Sequence, residues 1–513
     1  MRQVLLAGLG LVMSTAGLAA EVKPANLFSD HAVLLSNAVV PVWGIADVGE
    51  SVTVTVDGVS GAAKAGADGW WMVRLKKLKA GGPFEMTIAG KNTVVVKDVL
   101  VGEVWLGSGQ SNMVFNVSKK GHPPYGLLNE EQEIAAANYP QIRMFTGAPT
   151  KSLEPQREIE GKWVVCSPET VGDFSAVGYL FARDLQRELK VPVGIVLEAY
   201  GASTAESWLP REAVAGDPRL KPMLDKFDAR ETYFKEHPGA SDEGAPPAPQ
   251  TLNARPGKPG PLRDPVQDQH QPTVLFNGMI APVVPYAIRG VLWYQGESIV
   301  GGADGLRLYP HTMETLVKEW RAQWGDKDLP FYFVQLAPQK NVSNNAAVRE
   351  AQGQLPSVPK TGMAVTIDIG DPDNVHPKDK EPLGERLTAL ALANVYGRKM
   401  EYSGPVYLSM KVEGGAVRVK FSHAAGLVGK GGELKWFQVA GADQKFVDAE
   451  ARVEGDTVVV SSAAVAAPVA VRYAWDDYPA GANLYNSAGF PAAPFRTDGW
   501  DVVGPVAVRF TGR

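Results

Sequence analysis

The sequence predicts an α/β domain, built on a mainly parallel sheet covered on both faces, set between two all-β regions. Three changes of texture carry that prediction. Up to about Lys97, short runs of alternating apolar and polar residues follow one another. From Asp98 to about residue 400, apolar runs are separated by amphipathic stretches of helix length, and from Glu401 the alternation returns. The expected division is a leader at 1–20, a β-sandwich at 21–97, an α/β domain at 98–400 and a β-rich domain at 401–513. A chain of 513 residues is too long for one ordinary core, which fits several domains.

Composition narrows the function classes. With 45% hydrophobic and 21% charged residues, the chain reads as a water-soluble globular protein. Its net charge of −5 offers no basic surface for nucleic acid or an anionic membrane, so a small or neutral substrate fits better. Residues 1–20 carry one Arg, an apolar stretch from Val4 to Met13 and a small-residue end, the layout of a secretory leader. Export to a periplasm or the exterior is the expectation, with no membrane span elsewhere. Cys166 is the single cysteine, so no intramolecular disulfide is available; VVCSPET reads as a strand end with a buried structural thiol.

The elements follow in order. Val39–Gly44, Ser51–Val56 and Trp70–Val73 read as strands, with Asp57-Gly58 and Asp68-Gly69 as hairpin turns. The Trp residues here read as sandwich core rather than as a sugar platform. Val99–Leu106 reads as a buried strand that breaks into Gly107-Ser108-Gly109-Gln110-Ser111-Asn112. Ser175–Leu189, Leu308–Trp324 and Glu381–Tyr396 have helical spacing, and Val191–Leu197, Ala287–Tyr294, Phe331–Leu336 and Met363–Ile369 read as strands. The Pro/Gly-rich stretch 235–271 cannot bury its own core and reads as an exposed excursion. Ala416–Phe421 and Thr457–Val460 begin the second β region, and 477–496 reads as a loop able to fold back on the central domain.

Ser111 is the candidate nucleophile, because small neighbours leave room for substrate and leave backbone N–H groups free. A serine needs a base, an orienter for that base, and donors for the oxyanion. Among seven histidines, His376 lies in Asp373-Asn374-Val375-His376-Pro377, directly after a predicted strand. A carboxylate three residues before it, with Asp371 as the alternative, is able to fix its tautomer. An alternative reading makes Asp368, Asp371 and Asp373 a cation site. It fails the EF-hand register, since a start at Asp371 puts His376 where Gly is required. Two further strand ends carry Gly201, a backbone donor, and Gln295, a side-chain donor. In open α/β sheets such ends converge on one site. Gln110 and Asn112, with Tyr294, Glu297, Trp208 and Asn277, are candidate substrate contacts. This chemistry requires no metal or organic cofactor.

The blocks GEVWLGSGQSNM, GASTAESW, LFNGMIAPVVPYAIRGVLWYQGES and DNVHPKDKEPLGERL resemble the sialate O-acetylesterase family, a branch of the SGNH hydrolases, in order and over nearly the whole chain. The resemblance implies a three-layer α/β/α catalytic domain with flanking β domains, and removal of O-acetyl groups from sugars. It implies Ser111 as nucleophile, His376 and Asp373 as base and partner, and Gly201 and Gln295 beside Ser111 in the oxyanion hole. Three positions depart from the family: Ala202 where a glycine is frequent, Thr204-Ala205-Glu206 where Pro-Ala-Glu is frequent, and Ile299 where Asn is common. The sequence leaves open a plant-polysaccharide acetylesterase, on xylan or xyloglucan. From another class, it leaves open a catalytically silent carbohydrate-binding protein.

Overall fold

The computed structural model describes residues 21–121, 124–242, 244–247, 261–299, 302–340 and 344–501. The leader expected at 1–20 and the centre of the Pro/Gly-rich excursion, 248–260, lie outside the described residues.

One strand, Thr93–Gly109, connects the first two regions. Its first half pairs antiparallel with Gly81–Ala89 in the leading β region. Its second half lies between Val193–Ala199 and Gly290–Tyr294, parallel to both. Burial follows the pairing: exposure alternates up to Asp98, and every residue from Val99 to Gly109 is buried. That is the expected difference between a one-sided antiparallel sheet and a parallel sheet covered on both faces. The boundary expected at residue 97 falls inside this continuous strand, and one hydrophobic core runs from Val22 through the α/β region to Leu392.

The central sheet runs, edge to edge, Gly161–Cys166, Tyr139–Gly147, Val193–Ala199, Thr93–Gly109, Gly290–Tyr294, Phe331–Val334 and Thr361–Ala364. All neighbours are parallel except the first pair. The earliest of these strands is central, and the chain builds one flank before crossing to the other. That makes the carboxyl ends beside Thr93–Gly109 a topological switch point.

Helices cover both faces. Trp105 packs on Phe181 and Tyr332 on the face covered by Ala176–Leu189 and Glu381–Asn394. Trp293, beside Ser108 in the register and so on the opposite face, packs edge-on against Trp208 and Trp320, the latter from the helix Gly302–Trp324. Ser175 caps the first of these helices, its hydroxyl accepting from Gly178 N–H at 3.1 Å. Trp43 and Trp71 are buried in the leading β core, as the sequence indicates.

The strand expected at Met363–Ile369 is shorter, Thr361–Ala364. Val365 and Ile367, beyond its end, belong to the separate core of the C-terminal β region. The 477–496 segment does fold back: Tyr485 donates its hydroxyl to Asp368 Oδ2 at 2.9 Å, and Asp477 Oδ1 accepts from Ala346 N–H. No helix of the described residues is long and apolar enough to cross a membrane. Cys166 is buried, and burial pushes its thiol up to about 12, consistent with an inert structural role.

Candidate active site

The site is built from the ends of four strands. Gly109 ends the central one at φ +129°, and a Cβ there would lie 2.2 Å from the Tyr294 carbonyl, so only glycine fits. The next residue, Gln110, donates its N–H to that carbonyl at 2.9 Å, and Ser111 then opens a single helical turn, Ser111–Val114. The carbonyl of Gly109 accepts from Tyr200 N–H at 3.0 Å, which draws the second strand-end loop alongside. As a result an ideal Cβ on Gly201 would stand 3.9 Å from Ser111 Cβ, ordinary contact distance. Among the described residues, the N–H groups of Ser111 and Gly201 donate to no other group of the protein. Ala202 follows at φ +55°, left-handed backbone that a glycine would adopt without strain.

Gln295 is fully buried. Its amide is fixed from both ends: Nε2 donates to the Ser203 carbonyl at 3.2 Å, and Oε1 accepts from the Tyr309 hydroxyl at 3.1 Å. Its backbone carbonyl takes a further bond from Gln352 Nε2 at 3.0 Å. The NH₂ group therefore faces the Ser203 loop, the one that carries Gly201.

His376 reaches the site on the loop that follows Thr361–Ala364. Its ring lies against Tyr125, centroids 4.4 Å apart, and Tyr125 stacks in turn on Phe115 at 5.1 Å. Its Nε2 is buried and has no hydrogen-bond partner. Burial, and then the charge of Lys380, lower its pKa to about 4, so the imidazole is neutral at physiological pH. No hydrogen bond joins it to Ser111 among the described residues; resting enzymes often leave that bond open until substrate arrives.

The structure does not join Asp373 to His376. Asp373 is exposed and its backbone N–H bonds Asp371 Oδ1, and among the described residues no hydrogen bond or ion pair joins either carboxylate to the imidazole. The loop is held by Asn374 Oδ1, accepting from His376 N–H at 2.9 Å, by the ring stack, by Asn112 on the Val375 carbonyl, and by the N–H groups of Lys340 and Leu128 on the carbonyls of Pro372 and Lys378. Asp368 is bound by both guanidinium ends of Arg386, at 2.8 and 2.6 Å, so the three aspartates do not converge. Among the described residues no group of three His, Cys, Asp or Glu side chains is arranged to hold a metal ion.

The six expected sugar contacts are buried and engaged within the protein. Gln110 Oε1 accepts from the N–H groups of Gly296 and Ser298, both at 3.3 Å. Asn112 donates to Glu297 Oε1 at 2.5 Å and to the Val375 carbonyl at 3.0 Å, and accepts from Lys380 Nζ at 2.6 Å. Asn277 donates to the carbonyls of Ser152 and Leu153. Trp208 Nε1 donates to Ser203 Oγ at 3.0 Å, and Tyr294 lies beneath Lys380. These residues hold the loops that carry the site, because a polar group at a buried strand end must find a partner in the protein; Glu297 Oε2 alone among their hydrogen-bonding side-chain atoms is buried without one. Sequence reading missed Lys380 and Tyr125. Lys380 stands inside the DNVHPKDKEPLGERL block, but nothing local marks it as buried.

A serine beside two free backbone donors, with a neutral histidine, at the switch point of a mainly parallel sheet, is an arrangement suited to acyl transfer through a serine. Comparison makes the class specific. The family model for "carbohydrate esterase, sialic acid-specific acetylesterase" matches residues 270–393. The mouse sialate O-acetylesterase is 30% identical over 88% of this chain and 90% of its own length. The human one is 28% identical over 88% of each. A carbohydrate acetylesterase of known structure from Xanthomonas citri is 36% identical and superimposes with a TM-score of 0.80, covering 94% of this chain and all of that one. The chain belongs to the sialate O-acetylesterase family, and its reaction is the hydrolysis of acetyl esters of carbohydrates.

Proposed function

We propose that the protein is an exported serine esterase that deacetylates sugars through an acyl-enzyme. Ser111 Oγ attacks the ester carbonyl while His376 Nε2 accepts its proton. The oxyanion receives the N–H groups of Ser111 and Gly201 and one N–H of Gln295. His376 then protonates the departing sugar oxygen; in the second half it takes a proton from water as that water attacks the acyl carbonyl, and returns the proton to Ser111 Oγ as the Oγ–acyl bond breaks and acetate leaves. The observation that carries this reading is the pair of unused N–H donors on adjoining loops, Ser111 and Gly201, together with a His376 Nε2 that is also unused, on a loop tied to the nucleophile turn by the Asn112–Val375 hydrogen bond. Release of acetate from an aryl acetate by Ser111→Ala protein within a few-fold of the parent rate would sink it.

Family membership supports an O-acetylated sialic acid as substrate. A second reading, an acetylated plant polysaccharide such as xylan or xyloglucan, falls equally within the carbohydrate acetylesterase activity of the Xanthomonas citri relative. Acetate release from acetylated sialosides and acetylated plant oligosaccharides, measured side by side, decides between them. Export rests on the leader-like residues 1–20; a mature N-terminus near Glu21 in the periplasm or medium is the expected result, and an intact Met1 in the cytoplasm the contrary one.

A further inference from the structure

Lys380 stands immediately before the helix Glu381–Asn394 and is 1% exposed. A buried ammonium is costly unless its donors and charge are met. Here its Nζ lies 4.9 Å from the centroid of Phe115 and 5.0 Å from that of Tyr294, and it donates to Asn112 Oδ1 at 2.6 Å. Burial lowers the Lys380 pKa to about 7 against the opposing charge of Glu297 and Asp379, so the side chain is an ammonium below that pH, including the acidic range in which His376 titrates.

The chemistry of the partners sets the orientation of Asn112. Lysine only donates, whereas the Val375 carbonyl and the facing Glu297 oxygen accept. The three contacts are satisfied together by one amide orientation only: Oδ1 to Lys380, and Nδ2 shared between Glu297 at 2.5 Å and Val375 at 3.0 Å. Asn112 follows Ser111, and Val375 precedes His376. One side chain therefore ties the nucleophile turn to the base loop, and one lysine sets which way it faces.

We infer that Lys380 is a positioning residue for this reaction: by fixing the Asn112 amide it holds His376 in register with Ser111. The inference rests on the reading that Ser111 and His376 carry the chemistry. A second consequence is electrostatic. Around His376 stand Lys380, Tyr125 and, through Asn112, Glu297, and the charge of Lys380 opposes protonation of the imidazole. Its removal raises the pKa of the base.

The full-length Lys380→Met protein is compared with the parent on an aryl acetate. A displaced base costs about 10²-fold in rate, so kcat is expected to fall by that order with KM changed less than threefold. The acidic limb of kcat/KM is expected to move to higher pH. Asn112→Asp, similar in volume but lacking the N–H donors, is expected to lose kcat comparably, and the double variant to be no worse than the poorer single one. Lys380→Met with kcat within threefold of the parent, or a loss that leaves the acidic limb in place and adds to that of Asn112→Asp, overturns the proposal. Should Lys380→Met lack a cooperative melt, Asn112→Asp decides alone, and kcat within threefold of the parent is the overturning result. Labelling of Ser111 in the parent by a fluorophosphonate separates failure of this proposal from failure of the underlying reading: an unlabelled serine condemns the latter.

Discussion

The two sides of the site are held differently. On the nucleophile side, Gly109, Gln110 and Gln295 are locked by backbone and amide hydrogen bonds between neighbouring strands at the middle of the sheet. On the base side, His376 rides on a loop after an edge strand, held by a ring stack, one asparagine turn, the bond from Asn112 to Val375 and backbone bonds from Lys340 and Leu128 to Pro372 and Lys378. The central strands leave the serine little freedom. The base depends on contacts from distant parts of the chain, so the same size of disturbance should cost more there in geometry and less in stability.

The largest test of that contrast removes each member outright. His376→Ala is expected to lower kcat on an aryl acetate by roughly 10⁴-fold or more, as loss of a triad base does elsewhere, with an unchanged melting temperature. Next comes the oxyanion donor: Gln295→Ala should cost about 10²–10³ in kcat. Because its amide also bridges Ser203 and Tyr309, it should lower the melting temperature as well, by a few degrees. Stability and rate would thus fall together on the nucleophile side and separately on the base side.

Asp373→Asn gives a smaller effect. With no bond from Asp373 to the imidazole, the substitution is expected to change kcat less than about tenfold, against the ~10⁴ seen where a triad aspartate sets the tautomer. A loss near 10⁴ would show that the loop rearranges to bring the carboxylate in when substrate binds. The pH profile tests the same point. A His376 pKa lowered to about 4 by burial and Lys380 places the acidic limb of kcat/KM near pH 4, well below that of an ordinary histidine. The sign for stability follows: the unfolded chain protonates this histidine below about pH 6.5 and the folded one only near 4, so its contribution to stability falls as pH drops between those values. The smallest effect belongs to Ala202→Gly. Relief of left-handed strain, offset by glycine entropy, should raise stability by no more than about 1 kcal/mol with activity unchanged, measured by thermal melting.

Much of this was legible in the sequence for a local reason. A parallel strand buried on both faces is a continuous apolar run, and its end is a sudden change to Gly and polar residues. Ser111, Gly201, Gln295 and His376 therefore stood out, and the sheet order brings the loops that carry them together. The helix Glu381–Asn394 and the folding back of 477–496 were readable by the same local rules of spacing and turn composition.

The sequence by itself determined the order of elements, the candidate residues for the chemistry and, through its motifs, the family. Only the tertiary structure decided what the polar neighbours do. Asn112 and Glu297 look like sugar contacts as a string, and in space they complete a buried clamp with Lys380, a residue 268 positions beyond Asn112. Asp373 looks like the partner of His376 at a spacing of three, and the turn points it into solvent. The physical reason is the same in both cases. Strand and turn formation depend on neighbours in sequence, whereas a buried donor or acceptor takes whichever partner the fold delivers, and that partner is set by strands that meet only after the chain has crossed the sheet.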